Sequence, residues 1–172
     1  TIHTHPIKRD SDIQYAMNYG CNRFVIDGIN ELEKFEVYKD KVELFLRLSF
    51  PNADAFADLS KKFGCSPAMA VEIISYAQQL GIRIKGLSFH VGSQTASPAK
   101  YVTAIAACNQ VINDVAALGL PALSTLDIGG GFPVPYNKDV LPIEEFCAPI
   151  NDALAQLPET VRVIAEPGRF IV

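Results

Sequence analysis

Three consecutive glycines, Gly129-Gly130-Gly131, follow the apolar run Leu126-Asp127-Ile128 and precede Phe132-Pro133. Glycine weakens the interior of a helix or strand, so three in a row mark a turn at the end of an element. Without Cβ atoms they let a ligand approach the backbone closely. Their successive N–H groups can form a concavity for an anion such as phosphate. A tight strand-to-helix turn with no ligand would use the same residues. The second stretch that bears on the choice is Val163-Ile164-Ala165-Glu166-Pro167-Gly168-Arg169, another apolar strand ending in a turn, here with a carboxylate and a guanidinium. Two such strand ends read as two walls of one phosphate site.

The 172 residues suffice for one domain with a sizeable core. With 49% hydrophobic and 20% charged residues the chain is of globular type. A net charge of -4 and a pI near 5.3 argue against nucleic acid or an anionic membrane as its partner. No apolar run is long enough to cross a bilayer. Cys21, Cys65, Cys108 and Cys147 are scattered without a CxxC pair, which fits reduced thiols and a cytoplasmic location. The chain starts at Thr1 in a strand-like segment and stops within Phe170-Ile171-Val172, so both ends are expected to be cuts through a larger fold.

Residues 2–5 before Pro6 read as extended. Asp10 or Ser11 caps a predicted helix to about Tyr19, with Gly20 as its stop. Residues 23–27 form a strand, and Asn30 caps a short helix with Leu32, Phe35 and Val37. A strand follows over 42–48, then a polar loop over 49–58 that Lys61-Lys62-Phe63-Gly64 closes. Ser66-Pro67 opens a helix with Ala70, Val71, Ile74, Ala77 and Leu80 on one face, ended by Gly81. After a strand over 84–90, Ser97-Pro98 opens a long helix to Gly119. The glycine strand, a proline-rich loop over 133–142, a helix over 143–157 and the Glu166 strand complete the chain.

Apolar strands that lack polar alternation and take turns with helices mark a parallel α/β sheet covered by helices. Arg47, His90, Ser93, the glycines, Glu166 and Arg169 all fall at or just beyond strand C-termini, where a (β/α)8 barrel keeps its active site. An open doubly wound sheet obeys a similar rule, but no GxGxxG follows the first strand. The expectation is a TIM-like barrel fragment of about six βα units, a single domain over residues 1–172.

These residues suit a phosphorylated aromatic cofactor. Gly129, Gly130 and Gly131 offer amides, Arg169 offers two parallel charged hydrogen bonds, and Ser93 adds a hydroxyl and an amide. His90 is flat enough to stack on a heterocycle. Glu166 facing a protonated ring nitrogen would keep that ring an electron sink, as pyridoxal 5'-phosphate chemistry requires. The bland reading of Glu166 and Arg169 is an ion pair with each other at a strand end. His3 and His5 form a His-x-His pair with no carboxylate or cysteine cluster near it in sequence, so no metal site is assigned.

Three motifs in order, His90-Val91-Gly92-Ser93-Gln94, Asp127 to Pro133 and Glu166-Pro167-Gly168-Arg169, resemble the alanine-racemase-like barrel of the ornithine/lysine/diaminopimelate/arginine decarboxylases. The resemblance runs along the whole chain, including Pro6-Ile7-Lys8 and Lys62-Phe63-Gly64. It implies that His90 stacks on the cofactor ring and that Glu166 partners the pyridine nitrogen, the two catalytic assignments. It implies that Arg47 lies near the ring oxygen, and that Ser93, Gly130, Gly131, Gly168 and Arg169 hold the phosphate; Gly129 and Pro167, within the same motifs, are counted with them as cofactor-binding. Phe132-Pro133 and Phe89-His90-Val91 look more like ornithine or lysine decarboxylases than diaminopimelate decarboxylases, with a diaminopimelate or arginine decarboxylase as the alternative within the family.

The family's Schiff-base lysine lies in an upstream Ala-Val-Lys type motif that these residues lack, and Lys8 matches a different position. The family's β-rich second domain, which completes the site across a homodimer, is also absent. The expected function is PLP-dependent decarboxylation of L-ornithine or L-lysine in polyamine biosynthesis, with the 172 residues alone inactive. An inactive regulatory homologue or a sugar-phosphate enzyme are the alternatives from other classes.

Overall fold

In the computed structural model, residues 1–52, 57, 60–136 and 139–172 are described. Residues 53–56 and 58 of the predicted 49–58 loop, residue 59 and residues 137–138 of the proline-rich loop lie outside them. Five strands form one parallel sheet in chain order: β1 (Arg23–Ile26), β2 (Glu43–Leu48), β3 (Ile84–Phe89), β4 (Thr125–Asp127) and β5 (Arg162–Ile164). His3 adds a single parallel bridge to Phe24, which accounts for the extended start of the chain. Sequential order is the progression of a barrel; a doubly wound sheet would reverse direction partway.

The helices are α1 (Asp10–Asn18), α2 (Ile29–Glu33), α3 (Pro67–Gln79), α4 (Ala99–Ala117), α5 (Ile143–Leu154) and the short α6 (Gly168–Ile171). Right-handed crossovers between neighbouring parallel strands carry helices to one face of the sheet. There α3 packs on α4 and α4 on α5. That face holds one continuous apolar cluster in which Phe24, Ile26, Leu44, Leu46, Leu48, Leu87, Phe89, Leu126 and Ile128 alternate along their strands. Each such fully buried side chain contributes roughly 2 kcal/mol by leaving water.

The intervening residues face the other way and are of a different kind. Strand register aligns Val25, Phe45, Gly86 and Thr125 in one row, and Arg47, Ser88 and Asp127 in the next row toward the strand C-termini. Val25 and Phe45 are buried yet stand outside the helix-side cluster. The strands are apolar on both faces only at their N-terminal halves; toward their ends the inner face becomes polar.

Several boundaries differ from the sequence reading. In α1 the cap is Arg9 rather than Asp10 or Ser11, because Asp12 accepts a hydrogen bond from the Arg9 N–H (3.1 Å) from inside the first turn. Asn30 lies within α2, whose N-cap is Gly28, and Phe35 precedes a separate 3-10 turn at Glu36–Tyr38. Ser66 caps α3 as predicted, its hydroxyl accepting from the Ala68 N–H at 3.1 Å. The last long helix stops at Leu154, three residues short, and contains Pro149.

Candidate active site at the strand C-termini

The ends of β2, β3, β4 and β5 converge on two adjoining hollows that share His90 and Glu166. The outer one, about 250 Å³, is lined by His90, Ser93, Gln94, Gly130, Gly131, Phe132, Glu166, Gly168 and Arg169. The inner one, about 110 Å³, is lined by Thr4, Val25, Arg47, Ser88, Phe89, His90 and Glu166. A larger hollow of about 460 Å³ lies away from these strand ends, between α2 and α3, and its lining includes none of the predicted residues.

The glycine turn is shaped by tight packing. Gly129 and Gly131 have φ of +65° and +111°, which residues with side chains resist. A Cβ on Gly129 would collide with the Phe89 carbonyl, and one on Gly131 with the Gly92 carbonyl. Each carbonyl of the turn has its own donor. The Glu166 N–H donates to Gly129 O (2.8 Å), the Tyr101 hydroxyl to Gly130 O (2.9 Å) and the Thr95 N–H to Gly131 O (3.0 Å). Among the described residues the N–H groups of Gly130 and Gly131 have no acceptor. This cradle has room and donors for an anion.

Four of the sequence assignments change in detail. The Gly129 N–H donates to Asp127 Oδ1 at 2.9 Å, and Gly129 lines neither hollow, so its amide is not available to a ligand. Pro167 lines neither hollow; it caps α6, its carbonyl accepting from the Phe170 N–H. Ser93 retains its hydroxyl, while its amide is taken by Ala57 O at 3.3 Å. Gly168 reaches the hollow, but its N–H closes a tight turn onto Glu166 O at 2.8 Å.

Arg169 is not paired with Glu166 among the described residues. It donates to the Tyr136 hydroxyl at 3.0 Å and lies 5.7 Å from that ring's centroid, exposed at the rim. Arg47 makes no ion pair among the described residues and rests 5.4 Å from the Phe63 ring centroid. Burial pulls its guanidinium below the ordinary value, and Asp27, Glu166 and Asp127 pull it back.

His90 Nδ1 accepts the Gly92 N–H at 3.0 Å, so the neutral ring carries its proton on Nε2. Burial, with a smaller effect from Arg47, lowers its pKa and holds the ring neutral. Asp127 is 1% exposed. Burial is the main cause that pushes its carboxyl up to about 7; the Gly129 N–H opposes this, and the neighbouring Glu166 carboxyl, to which it is hydrogen-bonded, reinforces it. Ser88, between Arg47 and Asp127 in the same row, has a buried hydroxyl with no partner among the described residues.

Sequence reasoning singled out neither Asp127, Tyr101, Tyr136 nor Ser88 as site residues. Asp127 had a signal, a lone carboxylate in an apolar strand; Tyr101 and Tyr136 had none, since their contacts span 29 and 33 residues. The two histidines near the start go elsewhere: His3 packs on Phe24 and His5 on Phe63.

A parallel sheet of sequentially ordered βα units, with an anion cradle and the buried Asp127 beside the exposed Glu166 at its strand ends, defines a barrel-type ligand-binding domain. Residues 1–172 match the family described as pyridoxal-dependent decarboxylase, pyridoxal binding domain, and the chain belongs to that family. It is 32% identical over 171 residues to a lysine/ornithine decarboxylase of Selenomonas ruminantium, covering 99% of this chain and 43% of that protein. The crystal structure of a lysine/ornithine decarboxylase from Vibrio vulnificus complexed with putrescine is 64% identical, with a TM-score of 0.92 over 99% of this chain and 45% of that one. An arginine decarboxylase of Paramecium bursaria Chlorella virus bound to agmatine is 32% identical, with a TM-score of 0.88 over 98% and 45%. The chain thus spans less than half the length of these relatives. Among the described residues no helix is long and apolar enough to cross a membrane.

Proposed function

We propose that this domain holds pyridoxal 5'-phosphate in an enzyme that decarboxylates a basic amino acid, L-ornithine or L-lysine, to the corresponding diamine. The observation that carries the reading is the convergence of the Gly130-Gly131 cradle, the Glu166 carboxylate and a neutral His90 on one hollow, with the buried Asp127 beside Glu166. The residues fit the cofactor: the cradle presents the N–H groups of Gly130 and Gly131, with the Ser93 hydroxyl and Arg169 at its edge. When bound, pyridoxal phosphate supplies a cationic ring that takes up the electron pair released as the carboxylate departs.

Each residue then has a role of its own. Glu166 holds a proton at the ring nitrogen. Asp127, protonated near neutral pH, donates to Glu166 and keeps that carboxylate turned toward the ring. His90, neutral with Nε2–H, lies against the ring without adding charge to it. Arg47, among Ser88, His90 and Glu166 in the inner hollow, neutralises an oxygen on the ring. Gly168 keeps the wall free of a side chain between Glu166 and Arg169. Residues 1–172 act as one domain, in a cytoplasmic homodimer that serves polyamine synthesis.

The test uses the intact protein with pyridoxal phosphate, offering L-ornithine, L-lysine, L-arginine and meso-diaminopimelate while trapping CO2 and recording the cofactor's absorbance. CO2 release with ornithine or lysine, with a spectral change, is the expected result. A protein that takes up no pyridoxal phosphate overturns the cofactor reading. Turnover of arginine or diaminopimelate alone overturns the choice of substrate.

A further inference from the structure

Tyr101 lies in the first turn of α4, fully buried against Phe89, Phe132 and Phe146, and is the only side chain that reaches the backbone of Gly130 with a hydrogen bond among the described residues. A buried tyrosine hydroxyl needs a partner. Here the partner is chosen to act on the turn. The peptide is planar and trans, so its C=O and N–H point in opposite directions. A hydroxyl that fixes Gly130 O on the helix side therefore fixes the Gly131 N–H on the opposite side, toward the outer hollow. The Glu166 N–H does the same for the preceding peptide, and with it for the Gly130 N–H. The first of these two cradle donors depends on a side chain and the second on backbone alone.

We propose that Tyr101 is a positioning residue of the anion cradle: by holding the Gly130 carbonyl it aims the Gly131 N–H at the ligand's phosphate. The inference rests on the phosphate reading of the outer hollow. The glycines cannot supply the orientation themselves, because a residue without Cβ is free to rotate its peptide. The aromatic cluster locates the Tyr101 ring, with Phe132 stacked at 5.1 Å between centroids and Phe146 edge-on at 6.0 Å. Burial raises the Tyr101 pKa, so the hydroxyl stays a donor throughout the working range of pH.

The experiment compares pyridoxal 5'-phosphate with pyridoxal, which differs only by the phosphate, binding to the intact apo-protein by titration. Wild-type protein is expected to prefer the phosphorylated form. Tyr101→Phe keeps the ring and removes the hydroxyl. It is expected to weaken pyridoxal phosphate about tenfold, the value of one well-placed hydrogen bond to a charged group, and to leave pyridoxal within about twofold. Phe146→Leu disturbs the same cluster without touching the hydroxyl; it is expected to lower the melting temperature and keep the wild-type preference for phosphate. Equal weakening of both ligands by Tyr101→Phe, or no weakening, overturns the positioning role. Loss of the preference in Phe146→Leu overturns it too, since packing and not the hydroxyl would then set the cradle. Wild-type protein that binds both ligands alike instead overturns the phosphate reading of the hollow.

Discussion

Asp127 and Glu166 are two acids in one hydrogen bond, and that bond needs a proton. Burial supplies the reason it stays: the Asp127 carboxyl is raised from an ordinary 3.8 to about 7, so the folded protein binds this proton far more tightly than the unfolded chain. Its contribution to stability is full below about pH 4 and is lost as the pH rises through about 7. Asp127→Asn imitates the protonated acid, accepting from the Gly129 N–H and donating to Glu166. Urea unfolding of the apo-protein at several pH values is expected to show a flatter pH dependence between 4 and 7 in that variant, and an unchanged slope would refute the shared proton. Glu166→Gln keeps the shape but removes the charge that, in the proposed function, holds a proton at the ring nitrogen. Its decarboxylase kcat is expected to fall about a hundredfold or more, with pyridoxal phosphate still bound. Steady-state kinetics beside cofactor titration separate the two. The residues to which the proposed function gives chemistry, His90, Ser93, Glu166 and Arg169, were legible as candidates in the sequence because each stands in a motif. Their supports were not. Tyr101 reads as one more helix residue until the fold brings its hydroxyl to Gly130, and Gly129 reads as a cradle amide until Asp127 is seen to occupy it.

At the scale of elements, strand and helix identity followed from hydrophobic period and from proline and glycine signals, and most boundaries fell within three residues of those expected. The exceptions have local causes. Asn30 looks like a cap by its chemistry, but Gly28 has the extended backbone a cap requires and so takes the place. The glycine turn is the element on which most converges. Gly131→Ala puts a Cβ into the Gly92 carbonyl at a φ of +111°, a conformation alanine resists. The variant is expected to lose pyridoxal phosphate binding and to melt lower, with about 1–3 kcal/mol from the backbone alone. Calorimetry with and without cofactor would measure both, and unaltered binding would show that the turn tolerates a side chain. Gln94 ties this turn to the preceding loop: its amide donates to Val134 O and accepts the Val134 N–H, both at 2.9 Å.

Across the whole molecule the sheet separates two tasks. One face is an unbroken apolar layer under the helices, and the other turns polar as it nears the strand ends. The start of the chain is held to that frame by Lys8, whose buried ammonium reaches the carbonyls of His5, Pro6 and Val25 and the Glu31 carboxylate at 3.1 Å or less. Lys34 closes the network on Glu31 at 2.7 Å. Lys8→Met leaves these acceptors without their donor and is expected to cost about 3 kcal/mol, read by chemical denaturation, while the affinity for pyridoxal phosphate stays within about twofold. A variant as stable as wild type would mean that Lys34 alone suffices. The fold class was legible here because a parallel sheet has a plain signature; the polar inner row was less so, since only register shows that Arg47, Ser88 and Asp127 lie side by side. Glu166 is bound to the glycine turn twice, through its N–H to Gly129 O and through Asp127, which also grips the Gly129 N–H. In the proposed function the contact for a ring nitrogen and the seat for an anion therefore move as a single piece. They form a gauge of fixed length, and a ligand one methylene longer or shorter between those two points must forfeit one of them, whatever amino acid it is about to meet.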